Sequence, residues 1–403
     1  MKKTLIALLT MCCLAPAVAQ PLAECLETAR KNNIGVRLAD LQVQQAARME
    51  GSWFAAEKAE LSLSQDPTSG GSPDNALTLS QRFDFPTIYG TRRNLLKAET
   101  QVEESRREVA ESELVRDVSS AYCSLLYWQH IEALLTTNDS LLDYFAKTAD
   151  VHLQNGVTSQ LELMNAQSMR AENRMHLQEV QDAKARAAVL LQQLMNTTEE
   201  VVATDDLQCI QPAAEAWSFA STPQGRLAES KKNLGERQLS ASRQEWLPSV
   251  DIGLRYQCVI PGINPYDIDR TRFEGGNWMG FEVGLSFPLF YGSSRAKRDA
   301  ARLDVEMAQY RMEQASQQAA AEMQMAERMV ITARQAYNYY QDEGLGIASE
   351  IRRLSCIEYE TGEIGYVEHA QNLATALNIE MASAKAADAL NQAIIQFNFI
   401  KGK

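Results

Sequence analysis

The chain has 403 residues, with 39 Lys and Arg against 52 Asp and Glu. This acidic excess argues against a nucleic-acid partner, because neutralising phosphates takes clustered cations, and a hydrophobic fraction of 45% argues against disorder. Its four His, at positions 130, 152, 176 and 369, lack the local spacing of a zinc site, so no metal or cofactor is expected and a hydrolytic metalloenzyme is disfavoured.

Residues 1–19 read as a secretory signal peptide: Lys2 and Lys3 form its basic start, Thr4 to Leu14 its apolar run, and Ala17-Val18-Ala19 its cleavage site. Removing these 19 of 403 residues leaves 384, and the loss of two Lys leaves 37 basic against 52 acidic groups, a net charge of −15. Five Cys remain, at 25, 123, 209, 258 and 356, an odd number that leaves at least one thiol free; a Cys25–Cys209 bridge is one option. Beyond Gln20 no run of 18 apolar residues exists, so no transmembrane helix is expected, which leaves a β-barrel as the route into a membrane.

Gly and Pro are absent from residues 91–155, 157–211, 293–343 and 366–401, stretches of 65, 55, 51 and 36 residues. Ordinary helices run three to four turns, so these gaps predict unusually long ones. Ahead of them, Leu22 to Met49 reads as helix. Strict alternation then marks strands at about 60–65 and 76–84, separated by the turn-rich segment from Asp66 to Asn75. Phe85, Pro86, Tyr89 and Gly90 form a junction where strand becomes helix, and helices follow at about 91–155 and 160–196. At 1.5 Å per residue the first would be roughly 100 Å long. Apolar pairs seven apart, such as Val118 with Leu125 and Leu134 with Leu141, suggest coiled-coil packing.

The same order recurs. Phe85-Pro86-Thr87-Ile88-Tyr89-Gly90 aligns with Phe287-Pro288-Leu289-Phe290-Tyr291-Gly292 at an offset of 202, Trp53 with Trp246 at 193, and Gly156 with Gly362 at 206. The chain therefore reads as a tandem duplication, residues 20–205 and 206–403. The second copy carries a helix from Arg226 to Glu245, strands at about 249–258 and 279–287 around a turn-rich Pro261 to Asn277, and helices at about 293–361 and 366–401, with Gly344 and Gly346 marking a local distortion. Two hairpins cannot close a barrel. Three chains giving four strands each would make a 12-stranded one, with Leu254, Tyr256, Phe281, Val283, Leu285 and Phe287 facing lipid and Asp251, Arg255, Gln257 and Glu282 facing the lumen. A soluble sandwich is the alternative.

The exported chain, the duplicated order of helix, hairpin and long helix pair, Trp246-Leu247-Pro248, the Phe-Pro-x-x-Tyr-Gly junctions and the glycine turns together resemble the TolC-like outer-membrane efflux factors, most closely the CusC/CzcC-type branch. The resemblance spans residues 20–403. It implies a mainly α fold with a small β part, assembled as a homotrimer whose outer-membrane β-barrel continues into a periplasmic α-helical barrel. It also implies a passive exit duct, without catalytic residues, set in outer-membrane lipid. Its partners would be a periplasmic adaptor protein and an inner-membrane transporter of the resistance-nodulation-division (RND) type. A periplasmic adaptor and a secreted coiled-coil structural protein are the alternative readings.

The resemblance assigns adaptor docking to two helix-turn-helix tips, Gly156, Val157, Thr158 and Ser159 in the first copy and Gly362, Glu363, Ile364 and Gly365 in the second. Each tip glycine also reads as a left-handed helix cap. Glu162 and Glu368, six residues beyond those glycines, match an acidic channel gate in the family, while a further family acid falls on Gln371. An acidic residue near a helix start is equally a dipole-favoured one. His152, His369 and Met323, Met325 and Met329 read either as transient metal ligands or, more simply, as solvated His and packing Met. Tyr122, Tyr127 and Trp128, with Tyr337, Tyr339 and Tyr340, read as packing between helices.

Overall fold

A computed structural model describes residues 18–65, 75–156, 159–208, 210–258 and 277–403. Most of the signal segment, most of both turn-rich segments, Val157, Thr158 and Cys209 lie outside the described residues. The elements run β1 (Val18–Gln20), α1 (Leu22–Asn32), α2 (Ile34–Glu50), β2 (Glu60–Gln65), β3 (Asn75–Phe83), α3 (Pro86–Gln154), α4 (Gln160–Met195) and β4 (Val201–Ala203). Then come α5 (Pro223–Ser242), β5 (Ser249–Cys258), β6 (Asn277–Ser286), α6 (Gly292–Tyr339), a π-helical turn (Tyr340–Gly344), α7 (Leu345–Thr361) and α8 (Tyr366–Lys401). The helical stretch expected from Leu22 to Met49 is broken at Asn33, whose Oδ1 accepts the backbone N–H groups of Gly35 at 2.8 Å and Val36 at 3.2 Å and so starts a new helix. The distortion expected near Gly344 is the π turn.

Two compact units cut across the two sequence repeats. One takes residues up to Leu38, Glu108–Gln224 and Ser316–Lys403; the other takes Ala39–Arg107 and Gly225–Ala315. Each repeat therefore contributes to both.

The second unit holds an antiparallel sheet of order β2-β3-β5-β6, so the two hairpins join through β3 and β5. Their register aligns the alternation across all four strands. Leu61, Leu79, Leu254 and Phe281 form one row, Leu63, Leu77, Tyr256 and Met279 the next, and all eight are exposed. Polar and small residues fill the opposite face, where Glu60, Ser80, Gly253 and Glu282 form a row. There Asp251 binds Arg82 Nε at 2.7 Å and accepts the Ser286 hydroxyl at 2.6 Å, tying β3, β5 and β6 together. Asp251, Arg255, Gln257 and Glu282 thus lie on one face and Leu254, Tyr256, Phe281, Val283 and Leu285 on the other, as their period of two requires. In the helices of this unit, the Ser105 and Ser230 hydroxyls meet at 2.9 Å and Arg107 pairs with Asp40.

The first unit is a set of long helices around an apolar seam. On α3, Leu114, Ala121, Trp128, Leu135, Leu142 and Ala149 recur every seven residues and are buried or half-buried. The seam runs one residue beyond the expected Leu134 and Leu141, which are only half-buried beside fully buried Leu135 and Leu142. Cys25, Ala29, Val36, Leu191, Met195, Val201 and Ala203 pack on its first part. Cys25 is a free thiol there, 3.7 Å from Gln20 Oε1, and burial pushes its pKa up to about 11. Met323 is buried with Ala326 and Ile400, whereas Met325 and Met329 are exposed, so the three do not converge.

Tyr122, fully buried, ties the chain start to this core. Its hydroxyl donates to the Gln20 carbonyl at 3.0 Å and accepts the N–H groups of Thr204 at 3.1 Å and Asp205 at 3.3 Å. Tyr122→Phe strands these backbone groups and is expected to destabilise the unit by about 1–3 kcal/mol, read as a lower midpoint in thermal or urea unfolding. An unchanged midpoint would show that water replaces the hydroxyl.

Candidate functional site: the helix-turn-helix tips

The first unit contains both turns. α3 ends in Gly156 at φ +72° and α7 in Gly362 at φ +81°, conformations that side chains with a Cβ rarely adopt. Gly362 donates to the Glu358 and Tyr359 carbonyls, and the Glu363 N–H reaches back to the Glu358 carbonyl at 2.8 Å, closing a Schellman cap. Among the described residues nothing lies within 4 Å of a Cβ at either glycine, so backbone conformation and not crowding selects them.

The helices leaving the two turns start differently. At α4, Ser159 is the N-cap and its hydroxyl accepts the Glu162 N–H at 3.3 Å. Ser159-x-x-Glu162 is the spacing of a capping box, so the half-buried Glu162 has a structural use at a positive helix end. At α8 the N-cap is Gly365, which offers no side chain; Glu363 and Glu368 are exposed there and Ile364 is half-buried.

Beneath the second turn lies an aromatic cluster that sequence reasoning missed. His369, expected to be solvated, is 2% exposed. Its Nδ1 is 2.8 Å from the Ser355 hydroxyl, its ring stacks on Tyr359 with centroids 4.6 Å apart, and Phe145 meets it edge-on at 5.2 Å. Tyr366 packs on Phe145 at 5.6 Å, and its buried hydroxyl has no hydrogen-bond partner among the described residues. Burial, opposed by hydrogen bonding at Ser355, holds His369 below the ordinary imidazole pKa. Tyr366 is pushed up to about 12 by burial, with Tyr359 and Glu162 adding to the shift, so both groups are neutral near pH 7. The seven-residue spacing of Tyr359 and Tyr366 across the turn was the available sequence signal. His152 is exposed.

The second unit holds the strand-to-helix junctions, and the two copies differ. α3 starts at Pro86, so Gly90 lies inside the helix and Pro86, not the expected Thr91, begins it; proline suits the first helical position, where its missing N–H costs nothing. Tyr89 is buried, its hydroxyl accepts the Asp84 N–H at 3.0 Å, and its ring packs on Phe54 at 4.9 Å. In the second copy α6 begins only at Gly292, after Pro288, and Phe287 and Tyr291 are exposed, as is Phe85 in the first.

Residues 223–403 match the family model described as outer membrane efflux protein. Across the whole chain, solved structures share the architecture. The Campylobacter jejuni CmeC outer membrane channel superposes with a TM-score of 0.78 at 16% identity, covering 94% of this chain and 85% of its own. The fold is that of the TolC-like outer-membrane channels. CusC gives a TM-score of 0.76 at 18% identity, with 96% of this chain and 93% of its own covered. The open state of the Neisseria gonorrhoeae MtrE outer membrane channel gives 0.72 at 18% identity, with 94% and 88% covered. No curated protein matches in sequence.

A neutral His369 inside an aromatic cluster makes the second tip acid-sensitive. Because its folded pKa lies below the unfolded value, its stabilising contribution is present at neutral pH and is lost as pH falls below about 6.5. Thermal unfolding followed down to about pH 5 should show this loss, and His369→Phe, which keeps the stacking, should flatten the profile. Equal pH slopes in the two proteins would refute the assignment.

Proposed function

We propose that this chain is one protomer of the outer-membrane exit duct of a tripartite efflux system. It conducts substrate passively from a periplasmic adaptor and an inner-membrane pump of the RND type to the outside. The observation that carries this reading is the sheet: its face of aligned Leu, Tyr, Met and Phe is exposed, and β2 and β6 each leave an edge without a partner among the described residues. An apolar face suits lipid, and strands in lipid must close on one another. The match of residues 223–403 to the outer-membrane efflux proteins and the fold shared with CmeC, CusC and MtrE support the same reading.

Three copies supply the closure. Exposed apolar residues at helical spacing on α6, Leu303, Met307 and Tyr310, and on α7, Ile347, Leu354 and Ile357, support packing of helices against neighbouring copies. The tips dock the adaptor through Gly156, Ser159 and the exposed Gly362, Glu363 and Gly365. Glu368, exposed and free of capping duty, is the better gate candidate of the two acids; a ring of three such carboxylates favours cations over anions.

Fractionation should recover the protein from the outer membrane as a detergent-soluble trimer that opens conducting channels in planar bilayers; a soluble periplasmic monomer would refute the proposal. Glu368→Gln should lower cation preference in single-channel recordings, and an unchanged preference removes Glu368 from the gate. Gly362→Val, which forces a branched side chain into a left-handed conformation at a cost of roughly 1–2 kcal/mol, should abolish efflux while leaving trimers in the membrane. Export at the original rate would show that this turn is not where the adaptor docks.

A further inference from the structure

β1 pairs in parallel with β4, setting Val18 opposite Val201, Ala19 opposite Val202 and Gln20 opposite Ala203. Gln20 is only 9% exposed and has anchors of its own. Its carbonyl accepts the Tyr122 hydroxyl at 3.0 Å, and its side-chain oxygen lies 3.7 Å from the buried Cys25 thiol. Neither contact passes through Val18 or Ala19, so both remain available to a chain that starts at Gln20.

The sequence implies such a chain. Ala17-Val18-Ala19 reads as the end of a signal segment, and cleavage after Ala19 frees the α-amine of Gln20. That amine lies at a buried residue and at the start of α1, whose N-cap is Pro21. An ammonium is disfavoured there twice, because burial penalises charge and a helix start favours anions. Asp205, the half-buried acid at this helix start, already accepts the Leu22 N–H at 2.8 Å, and Glu24 in the first turn is exposed. Burial also favours the neutral amine, which is the nucleophilic form.

We propose that Gln20 of the exported chain is a modification site and closes to pyroglutamate. The neutral α-amine attacks Cδ of its own side chain: the bond from the α-nitrogen to Cδ forms, the Cδ–Nε2 bond breaks, and Nε2 leaves as ammonia with a proton taken from the amine. Nothing is oxidised or reduced and no co-reactant enters. The lactam keeps an N–H donor and a carbonyl acceptor, loses the charge, and leaves the carbonyl that Tyr122 holds unchanged. It also closes the start of the chain to aminopeptidases that require a free α-amine. The inference rests on the reading of the chain as an exported protein.

The test is mass spectrometry of the full chain purified from cell membranes. Free amines are acetylated on the denatured protein before trypsin is added, so that cyclisation during digestion is not counted. The peptide from Gln20 to Arg30 contains no Lys, so acetylation on it reports the α-amine alone. It should be recovered without the acetyl group and lighter than its sequence by one ammonia. Gln20→Asn, one methylene shorter, does not close this ring and should be acetylated in full. An acetylated Gln20 peptide, as expected if Asp205 held the ammonium, or an unacetylated start in Gln20→Asn would overturn the lactam and leave export standing. A chain that begins at another residue beyond the signal segment would overturn the site, and one that retains residues 1–19 would defeat export and the duct with it.

Discussion

The constraint on which the rest of this structure turns is a sheet whose two outer strands each keep an edge without a partner among the described residues. The sheet β2-β3-β5-β6 pairs its inner strands on both sides, while its outer strands keep one row of N–H and C=O groups each without a partner among the described residues. In water such an edge invites aggregation, and in hydrocarbon each open group costs several kcal/mol. The face beside those edges carries Leu61, Leu79, Leu254 and Phe281 in one exposed row, which favours hydrocarbon. In the proposed duct the edges meet those of other copies, which makes open edges compatible with apolar surroundings. The exposed apolar spacing on α6 and α7 repeats that requirement in the helices.

Each half of the chain supplies two strands of the larger sheet, and the two halves differ at their tips. The first tip is stabilised from outside, by the Ser159 hydroxyl at the start of α4. The second has Gly365 there and is stabilised from inside, by Phe145, Tyr359 and Tyr366 around His369. The first copy runs a single helix from Pro86 to Gln154, whereas the second interrupts its counterpart with a π turn between α6 and α7. Gly344 sits in that turn because a Cβ there would meet the Tyr340 ring at 2.9 Å. In the proposed duct, these differences place a buried histidine under the second tip.

Much of the fold was legible in the sequence because it is written in periodicity. Strict alternation marked the four strands of the larger sheet, since a period of two has no helical alternative, and the gaps between Gly and Pro marked the long helices, whereas the short parallel pair β1 and β4 carried no such signal. Positive φ at Gly156 and Gly362 agrees with their reading as left-handed caps. What escaped was set by tertiary contact. The seam on α3 lies at Leu135 and Leu142 and not at Leu134 and Leu141, because both registers are apolar and only the neighbouring helices choose. The start of α3 at Pro86 was missed because proline and glycine together read as a break, although proline is welcome at the first helical position. His369 looked like an ordinary helix-surface residue; only the approach of Phe145 from α3 and Ser355 from α7 buries it.

The most direct test of the account is cross-linking between sheet edges. One cysteine is placed at Ser62 on β2 and a second is scanned along β6 from Gly280 to Gly284, in a background without the native thiols. If the open edges of one protomer close on those of its neighbours, at least one pairing should yield a covalent trimer from outer membranes under mild oxidation. Monomers at every position of the scan, from protein that is folded and membrane-extracted, would contradict it.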